Sequence, residues 1–389
     1  MHRLSADVSA LFTPFSVRDL TIPNRFTMSP MNRNASPNGV PGDDMAQFYL
    51  RRVEGEFGLI FTGGIAIDHP AASGVYVDRP CQVPLLHTPE SKAGWKHVVD
   101  AVHGGGGKII AQLWHLGVMR LPGTGYYPDA PSSRPSGIYG PTTQPSFVDP
   151  EMAARLNVPG PELTDAEILE LIDAYARSAG HAIEVGFDGV EVHGAQGYLP
   201  DAFMWDATNV RTDRWGGNRA ERTRFAAEVV RAIRRTIGDK PLFFRFSQWK
   251  HQDVDAMIAP TPADLEEILT PLVAAGVDVF DAGHFYIDRP MYAGSPLNLA
   301  GWAKKLTGLP AMAVGAVGLS AGQHDPEKHG PPEAINNLAP VIASVARGEY
   351  DLVGVARTSL NDPAFPHKIR SGEPLVPWNG ARPTHGVGS

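Results

Sequence analysis

Short apolar segments alternate with longer segments of helical pattern along the chain, and this alternation constrains the fold more than any other feature. The eight strand candidates are residues 25–30, 59–62, 108–114, 189–193, 241–247, 277–282, 311–315 and 351–355. Helical segments between them include 164–185, 218–237, 262–275 and 332–347. Eight such repeats predict an α/β fold of the (β/α)8 TIM barrel type. A doubly wound sheet is the alternative, but the chain lacks the dinucleotide fingerprint that usually opens one.

Two helix starts are marked by local sequence. Thr164 is followed three residues later by Glu167, a pair typical of a capping box. Thr261 is followed by Pro262, and proline is favoured at the first position of a helix. The sequence therefore predicts that helices begin directly after Thr164 and Thr261.

Composition and charge are those of an ordinary globular protein. Of the 389 residues, 43% are hydrophobic and 20% are charged, so a substantial core and a single domain over 1–389 are expected. The net charge of −8 argues against a nucleic-acid partner. No secretory signal or membrane-length apolar run is visible, so we expect a cytoplasmic protein without a membrane partner. The single cysteine, Cys81, excludes an intrachain disulfide and a four-cysteine cluster.

The glycine run at 104–107, followed by Lys108, has the composition of a phosphate-binding loop but the wrong context. Such a loop lies between a strand and the helix that follows it. Here the glycines follow a helix candidate at 95–102 and precede a strand candidate. We therefore expect them to end the helix and form a turn.

A long segment at 117–160, rich in Pro, Gly and Tyr, follows the third strand candidate. Its composition predicts little regular structure. In a barrel this segment would emerge at the catalytic face, where it would serve as a lid or contact the substrate. A purely structural cap is an equally good interpretation, because long insertions are also simply tolerated.

Polar side chains stand at the ends of several strand candidates, where folds of this type carry their chemistry. His193 ends the fourth candidate, and Tyr198 follows on the same short loop, so a hydrogen-bond donor and a proton donor lie close together. Gln112 and Trp114 end the third candidate, and Arg245 lies near the end of the fifth. This set suits a flat heterocycle with many hydrogen-bond partners better than a metal ion.

The last two strand candidates end in residues suited to a phosphate. Barrel enzymes often bind a phosphate with the loops after strands seven and eight. Gly315 and Gly354 would let backbone N–H groups approach it, and Arg357 would add a charge-assisted fork.

These motifs together resemble those of the old yellow enzymes, flavin-dependent ene-reductases on a (β/α)8 barrel, nearly from end to end. The matching segments are 11–15, 23–26, 29–31, 112–115, 193–198, 209–217 and 351–357. The resemblance implies non-covalent FMN at the mouth of the barrel and NADH or NADPH as hydride donor. It also implies reduction of the activated C=C bond of a small α,β-unsaturated carbonyl substrate.

The resemblance implies roles for individual residues as well. Gln112 would bond the pyrimidine edge of the flavin, and Arg245 would lie near its N1–C2=O edge. His193 and Gln196 would hold the substrate carbonyl oxygen, and Tyr198 would protonate the α-carbon. Trp114 would line the substrate site. The other FMN contacts would come from Pro30, Met31, Asn32, Gly315, Ala316, Ala356 and Arg357.

Two positions depart from the family pattern. Gln196 stands where the partner of the carbonyl-binding His is usually Asn or His, and its amide retains an N–H donor on a longer stem. Asn32 stands where the family usually has Thr or Cys near the flavin O4. We expect these changes to affect substrate preference and redox potential more than the reaction type.

Other functions are weighed against this one. A flavin-dependent desaturase of a cyclic substrate would use the same residues in the reverse direction. A metal-dependent barrel hydrolase typically needs a His-x-His after the first strand, and 29–33 contains no His. A non-catalytic flavin- or ligand-binding protein would not need both His193 and Tyr198. The sequence leaves open the physiological substrate and whether the protein is a monomer or a homo-oligomer.

Overall fold

The computed structural model describes residues 7–74, 80–146, 150–322 and 332–380. An N-terminal hairpin of β1 (Phe15–Val17) and β2 (Leu20–Ile22) precedes a closed parallel barrel. The barrel strands are β3 (Phe26–Met28), β4 (Leu59–Phe61), β6 (Ile109–Trp114), β7 (Gly189–His193), β8 (Leu242–Phe246), β9 (Val279–Gly283), β10 (Ala311–Val314) and β11 (Leu352–Val355). Pairing of β3 with β11 and of β4 with β6 closes the ring, and β5 (Ile65–Ala66) adds a short extension along β6. The predicted (β/α)8 barrel is confirmed.

Helices cover the outside of the barrel. They are α1 (Asp43–Glu54), α2 (Pro89–Gly104), α3 (Pro150–Leu156), α4 (Asp165–Glu184), α5 (Leu199–Met204), α6 (Arg219–Arg222), α7 (Arg224–Ile237), α8 (Pro262–Ala275), α9 (Leu299–Thr307), α10 (Leu338–Ala346), α11 (Arg357–Asn361) and α12 (Phe365–Ser371). Short 3-10 turns occur at Ser9–Phe12, Pro37–Gly39, Pro70–Ala72 and Gly117–Met119. No helix in the described ranges is long and apolar enough to cross a membrane.

Both predicted helix starts are confirmed. Thr164 caps α4 in a capping box, with the Glu167 carboxylate accepting from the Thr164 backbone N–H at 2.7 Å. Thr261 caps α8, which begins at Pro262. Each cap supplies acceptors for backbone N–H groups that have no partner inside the helix.

Two helix predictions need correction. The segment 218–237 is two helices, α6 and α7, that meet at Thr223. The helix predicted over 332–347 begins only at Leu338. Residues 323–331, directly before the predicted helix, lie outside the described ranges. Residues 332–337 are not helical; the Asn337 side chain accepts from the backbone N–H of Gly318 (2.9 Å) and donates to the carbonyl of Ala316 (2.8 Å). These bonds tie the segment to the loop after β10.

The glycine run is a helix terminus, as expected. α2 extends to Gly104, and the backbone N–H groups of Gly105, Gly106 and Gly107 bond carbonyls of its last turn. Gly106 takes a left-handed φ of +80° that glycine adopts without strain. The strand β6 follows at once, so these glycines connect a helix to a strand.

The polarity of the barrel interior changes along its axis. Phe15, Leu20 and Ile22 of the hairpin join a buried apolar cluster with Leu59 and Phe243 from the early parts of their strands. Nearer the carboxyl ends of the strands, the buried positions include Gln112, Glu191, His193, Arg245 and Asp281. Apolar packing therefore closes one end of the barrel, and hydrogen-bonding groups gather at the other.

Candidate active site

Strand register brings the predicted site residues together. Gln112 of β6 pairs with Glu191 of β7, and His193 of β7 pairs with Arg245 of β8. Arg245 in turn pairs with Asp281 of β9. Parallel strands end at the same face of a barrel, so Gln112, His193 and Arg245 lie side by side at its carboxyl end.

Tyr198 lies among aromatic rings at this end of the barrel. Its ring centroid is 4.7 Å from that of His193, 5.2 Å from that of Trp114 and 5.5 Å from that of His251, each in an edge-on arrangement. Aromatic pairs favour this geometry. The predicted substrate residues His193, Tyr198 and Trp114 therefore form one cluster, which His251 joins.

His193 is a neutral hydrogen-bonding group rather than a cation. Burial, with a smaller contribution from the Arg245 charge, holds the pKa of His193 well below its usual value. Its Nδ1 atom has no hydrogen-bond partner among the described residues. A neutral imidazole has one N–H donor and one acceptor, so His193 can donate to a substrate oxygen without carrying a charge of its own.

The loop carrying Gln196 and Tyr198 is held by the loop after β8. Gln196 has a left-handed φ of +64°. Its backbone N–H donates to Ser247 Oγ (3.0 Å), and its carbonyl accepts from the His251 N–H (3.1 Å). Gln196 itself is half-buried, and Tyr198 is the cap residue of α5. Contacts on both sides of Gln196 therefore fix the turn that presents Tyr198.

A buried ion pair between Lys250 and Asp201 also holds the turn that presents Tyr198. Lys250 Nζ lies 2.8 Å from Asp201 Oδ1, and the two side chains are 0% and 1% exposed. The other Asp201 oxygen accepts from the Gly197 N–H at 2.6 Å. Burial lowers the pKa of Lys250 and raises that of Asp201, while each charge offsets the shift in the other. Neither residue is predicted from the sequence, because the pair joins helix α5 to the separate loop after β8.

Removing one partner of this ion pair should be strongly destabilising. Lys250→Met leaves the Asp201 carboxylate buried without its cation, and such changes cost about 3–5 kcal/mol of unfolding free energy. Denaturant unfolding of the two proteins measures the difference. Lys92→Met is the matched control, because Lys92 pairs with Glu184 at 2.7 Å on the surface and exposed pairs contribute about 0–1 kcal/mol. Equal losses in the two variants would contradict the expectation.

The residues predicted to border the flavin ring directly follow the first barrel strand. Pro30 and Asn32 are half-buried and Met31 is buried. Asn32 Oδ1 accepts a hydrogen bond from the Gly64 N–H at 2.8 Å. This bond fixes the orientation of the amide, so that its NH2 donors face away from Gly64.

The ends of β10 and β11 lie beside each other, since Val314 pairs with Gly354. Gly315 has a φ of +156°, and a Cβ there would lie 2.7 Å from the Tyr286 backbone, so only glycine fits. Ala316 is also left-handed, and Ala356 caps α11, whose first residue is Arg357. The predicted phosphate residues are thus neighbours.

The Arg357 guanidinium lies close to this corner. It donates to the Ala321 carbonyl and lies 5.8 Å from the Trp378 ring. Burial lowers the pKa of Arg357 to about 10, which leaves the guanidinium charged at neutral pH. Within the described ranges, the Tyr286 phenol rather than a carboxylate is the group that acts on the charge of Arg357.

Two buried acids in the barrel interior are absent from the sequence prediction. Gln112 Nε2 donates to Glu191 Oε1 at 2.8 Å, and Arg245 Nη1 donates to Asp281 Oδ2 at 2.5 Å. The available signal was a single charged residue inside each apolar strand, at Glu191 and at Asp281. Their pairing depends on register, which the sequence pattern does not show.

Comparison with known proteins gives the family. The chain matches the model of the NADH:flavin oxidoreductase / NADH oxidase family over residues 10–375. It is 31% identical over 381 residues to chanoclavine-I aldehyde reductase fgaOx3 of Penicillium roqueforti (strain FM164), with 96% of this chain and 92% of that protein covered. It is 32% identical over 379 residues to an NADH oxidase of Thermoanaerobacter brockii, covering 93% of this chain but only 51% of that protein.

Solved structures agree in fold. The TM-score is 0.74 to morphinone reductase in complex with tetrahydroNAD, at 24% identity over 94% of this chain and 91% of that chain. It is 0.76 to the Old Yellow Enzyme from Pichia sp. AKU4542, at 23% identity over 96% and 90% of the two chains. The chain therefore belongs to the NADH:flavin oxidoreductase / NADH oxidase family, that of the old yellow enzymes, and is an FMN-dependent oxidoreductase that uses a nicotinamide hydride donor.

Proposed function

We propose that this enzyme reduces the activated C=C bond of small α,β-unsaturated carbonyl compounds. The contact between His193 and Tyr198, with ring centroids 4.7 Å apart beside Gln112 and Arg245, carries the proposal. It puts a neutral donor at the end of β7 beside a phenol on the loop that follows, next to the groups expected to hold the flavin. The chemistry of enone reduction needs both, one for the carbonyl oxygen and one for the α-carbon.

The residues present fit FMN. The Gln112 amide donates to Glu191 and so directs its oxygen away from that acid, where it would accept from the flavin pyrimidine edge. Arg245 would face the N1–C2=O edge, Pro30, Met31 and Asn32 would border the ring, and Arg357 would hold the phosphate with the Gly315, Ala316 and Ala356 backbones. When bound, FMN supplies hydride transfer from the nicotinamide to the substrate.

His193, Gln196 and Tyr198 would act on the substrate itself. His193, with Gln196 as second donor, holds the carbonyl oxygen and stabilises the negative charge that develops there as hydride reaches the β-carbon. Tyr198 then gives its phenolic proton to the α-carbon. Trp114 packs against Tyr198 and limits the space beside the substrate.

We propose that segment 117–160 is a structural cap on the single domain rather than a lid. Buried Arg120 donates to the carbonyls of Thr124 (3.0 Å), Tyr127 (2.6 Å) and Ala130 (2.5 Å). Buried Arg134 bonds the carbonyls of Leu156 and Val158, both at 2.7 Å. The segment also contains α3, contrary to the expectation of little regular structure. Residues 147–149 lie outside the described ranges.

The cap is fixed to the loop that positions Tyr198. The backbone N–H of Ser146 donates to the His251 carbonyl at 3.0 Å, and its hydroxyl lies 2.6 Å from His251 Nδ1. The Val254 N–H donates to the Gln144 carbonyl at 3.0 Å. A lid that opened here would have to break these bonds.

The purified protein should be yellow and release FMN on denaturation. Anaerobic turnover of a panel of cyclic and acyclic enones with NADH and with NADPH tests the substrate class and the nicotinamide preference together. Saturated ketones and simple alkenes are the controls, because neither contains a C=C bond conjugated to a carbonyl. A protein that stays colourless after reconstitution with FMN, or that binds FMN and reduces none of the enones, would contradict the proposal.

A further inference from the structure

Glu191 and Asp281 form a pair of acids inside the barrel, each with one oxygen bonded and one oxygen without a partner. Glu191 Oε1 accepts from Gln112, and Asp281 Oδ2 accepts from Arg245. Glu191 Oε2 and Asp281 Oδ1 are both buried and accept from no donor group in the described part of the chain, yet the two carboxyl side chains are within hydrogen-bonding reach of each other. Both residues are 0% exposed. Buried polar atoms normally have a hydrogen-bond partner, so these two oxygens call for an explanation.

The charges of Glu191, Asp281 and Arg245 balance only if one of the two acids carries a proton. Arg245 is the cation acting on both acids among the described residues, and each acid acts on the other. His193, the next inward residue of β7, is neutral. Two ionised carboxylates would therefore share one guanidinium with no access to water. A buried charge without compensation is very unfavourable, and two acids held close together do not both ionise.

Burial and the neighbouring acid Asp281 both favour the protonated form of Glu191. Burial, followed by the charge of Asp281, raises the pKa of Glu191 well above its usual value, whereas Arg245 opposes the rise. Burial also raises the pKa of Asp281, and there Arg245 is the main opposing influence. Asp281 has the direct contact with Arg245, so it is the acid that stays ionised.

We propose that Glu191 and Asp281 share a single proton between Glu191 Oε2 and Asp281 Oδ1, and that this bond completes a chain from Gln112 through the two acids to Arg245. The proton satisfies both unpartnered oxygens at once and leaves the four groups with zero net charge. Gln112 and Arg245 are the ends of the chain, so the acid pair is a positioning element for both.

The consequence for redox behaviour rests on the proposed placement of FMN against Gln112 and Arg245. With the proton in place, Arg245 faces one carboxylate rather than two, and its charge remains effective toward a negatively charged reduced cofactor. Loss of the Asp281 charge would leave these four groups with a net positive charge and would further favour reduction of bound FMN. Loss of the Glu191 proton would have the opposite effect. The acid pair therefore adjusts the midpoint potential of bound FMN.

Two isosteric variants separate the protonated acid from the ionised one. Glu191→Gln keeps a neutral hydrogen-bonding group. The ratio of the affinities for oxidised and reduced FMN, which sets the midpoint potential, should therefore change by less than threefold. Asp281→Asn removes a charge, so that ratio should change at least tenfold, which is about 30 mV for a two-electron couple. Asp100→Asn, which removes an exposed carboxylate from α2, is the control and should change nothing.

Infrared spectroscopy tests the proton without the cofactor. Wild-type apoprotein should show the C=O stretching band of a protonated carboxylic acid, which Glu191→Gln should remove and Asp100→Asn should keep. Absence of the band in the wild type would overturn the proposal, and so would a potential in Glu191→Gln that rises as much as in Asp281→Asn. If the protein does not bind FMN, the proposed function fails while the infrared result still decides the shared proton. If Asp281→Asn does not fold, the comparison of wild type with Glu191→Gln remains decisive.

Discussion

Replacing His193 by Ala should lower enone turnover by about 100- to 1000-fold and leave FMN bound. The loss corresponds to one preorganised donor at an oxygen that becomes negative in the transition state, about 2.7–4 kcal/mol. The side chain is neutral and buried, and its Nδ1 has no partner in the described ranges, so its removal breaks no hydrogen bond of that atom. Steady-state kinetics with a cyclic enone measures the effect, and the flavin absorbance of the purified variant measures FMN content.

Ligand binding distinguishes a substrate contact from a structural contact. His193→Ala should also weaken the binding of phenolic ligands, whose oxygen would occupy the same place as the carbonyl oxygen. His193→Asn keeps an N–H donor and should recover part of the activity. Unchanged enone turnover in His193→Ala would assign His193 a structural role only.

Tyr198→Phe should slow oxidation of the reduced flavin by an enone by about 100-fold or more, the usual contribution of a positioned general acid. Its reduction by NAD(P)H should remain nearly normal, because that step needs no proton at the substrate α-carbon. A tyrosine side chain carries a phenolic proton that phenylalanine lacks. The ring contacts with His193, Trp114 and His251 are kept in the variant. Stopped-flow measurement of the two half-reactions provides the test.

A second oxidant gives this experiment its internal control. Oxidation by a quinone or by oxygen requires no protonation of carbon and should be unaffected in Tyr198→Phe. Tyr139→Phe is the matched variant, because Tyr139 is a buried tyrosine whose hydroxyl has no partner among the described residues. Equal slowing of both half-reactions in Tyr198→Phe would make Tyr198 structural. Slowing of neither would mean that water or another side chain supplies the proton.

The sequence alone determined the barrel and predicted which strand ends carry the candidate site residues. Each of the eight strand candidates overlaps an observed strand, because burial of a parallel strand on both faces requires an apolar run that is visible locally. Helix starts at Thr164 and Thr261 were equally visible, since a cap and the N–H groups it satisfies lie within one turn. The same locality holds for His193 and Tyr198, which are five positions apart, at the end of β7 and on the loop after it.

Only the tertiary structure decided which polar groups meet inside the barrel. Glu191 bonds Gln112, 79 positions away, and Lys250 bonds Asp201, 49 positions away. Contacts between residues so far apart leave no periodic signal in the sequence, because the first depends on strand register and the second on how α5 packs against the loop after β8. The late start of α10 has the same origin, since Asn337 bonds a loop about 20 positions earlier, at Gly318. Local sequence determines which segments are strands and helices, and long-range packing determines the partners of buried charges, because a buried charge is stable only beside a group that the fold brings to it.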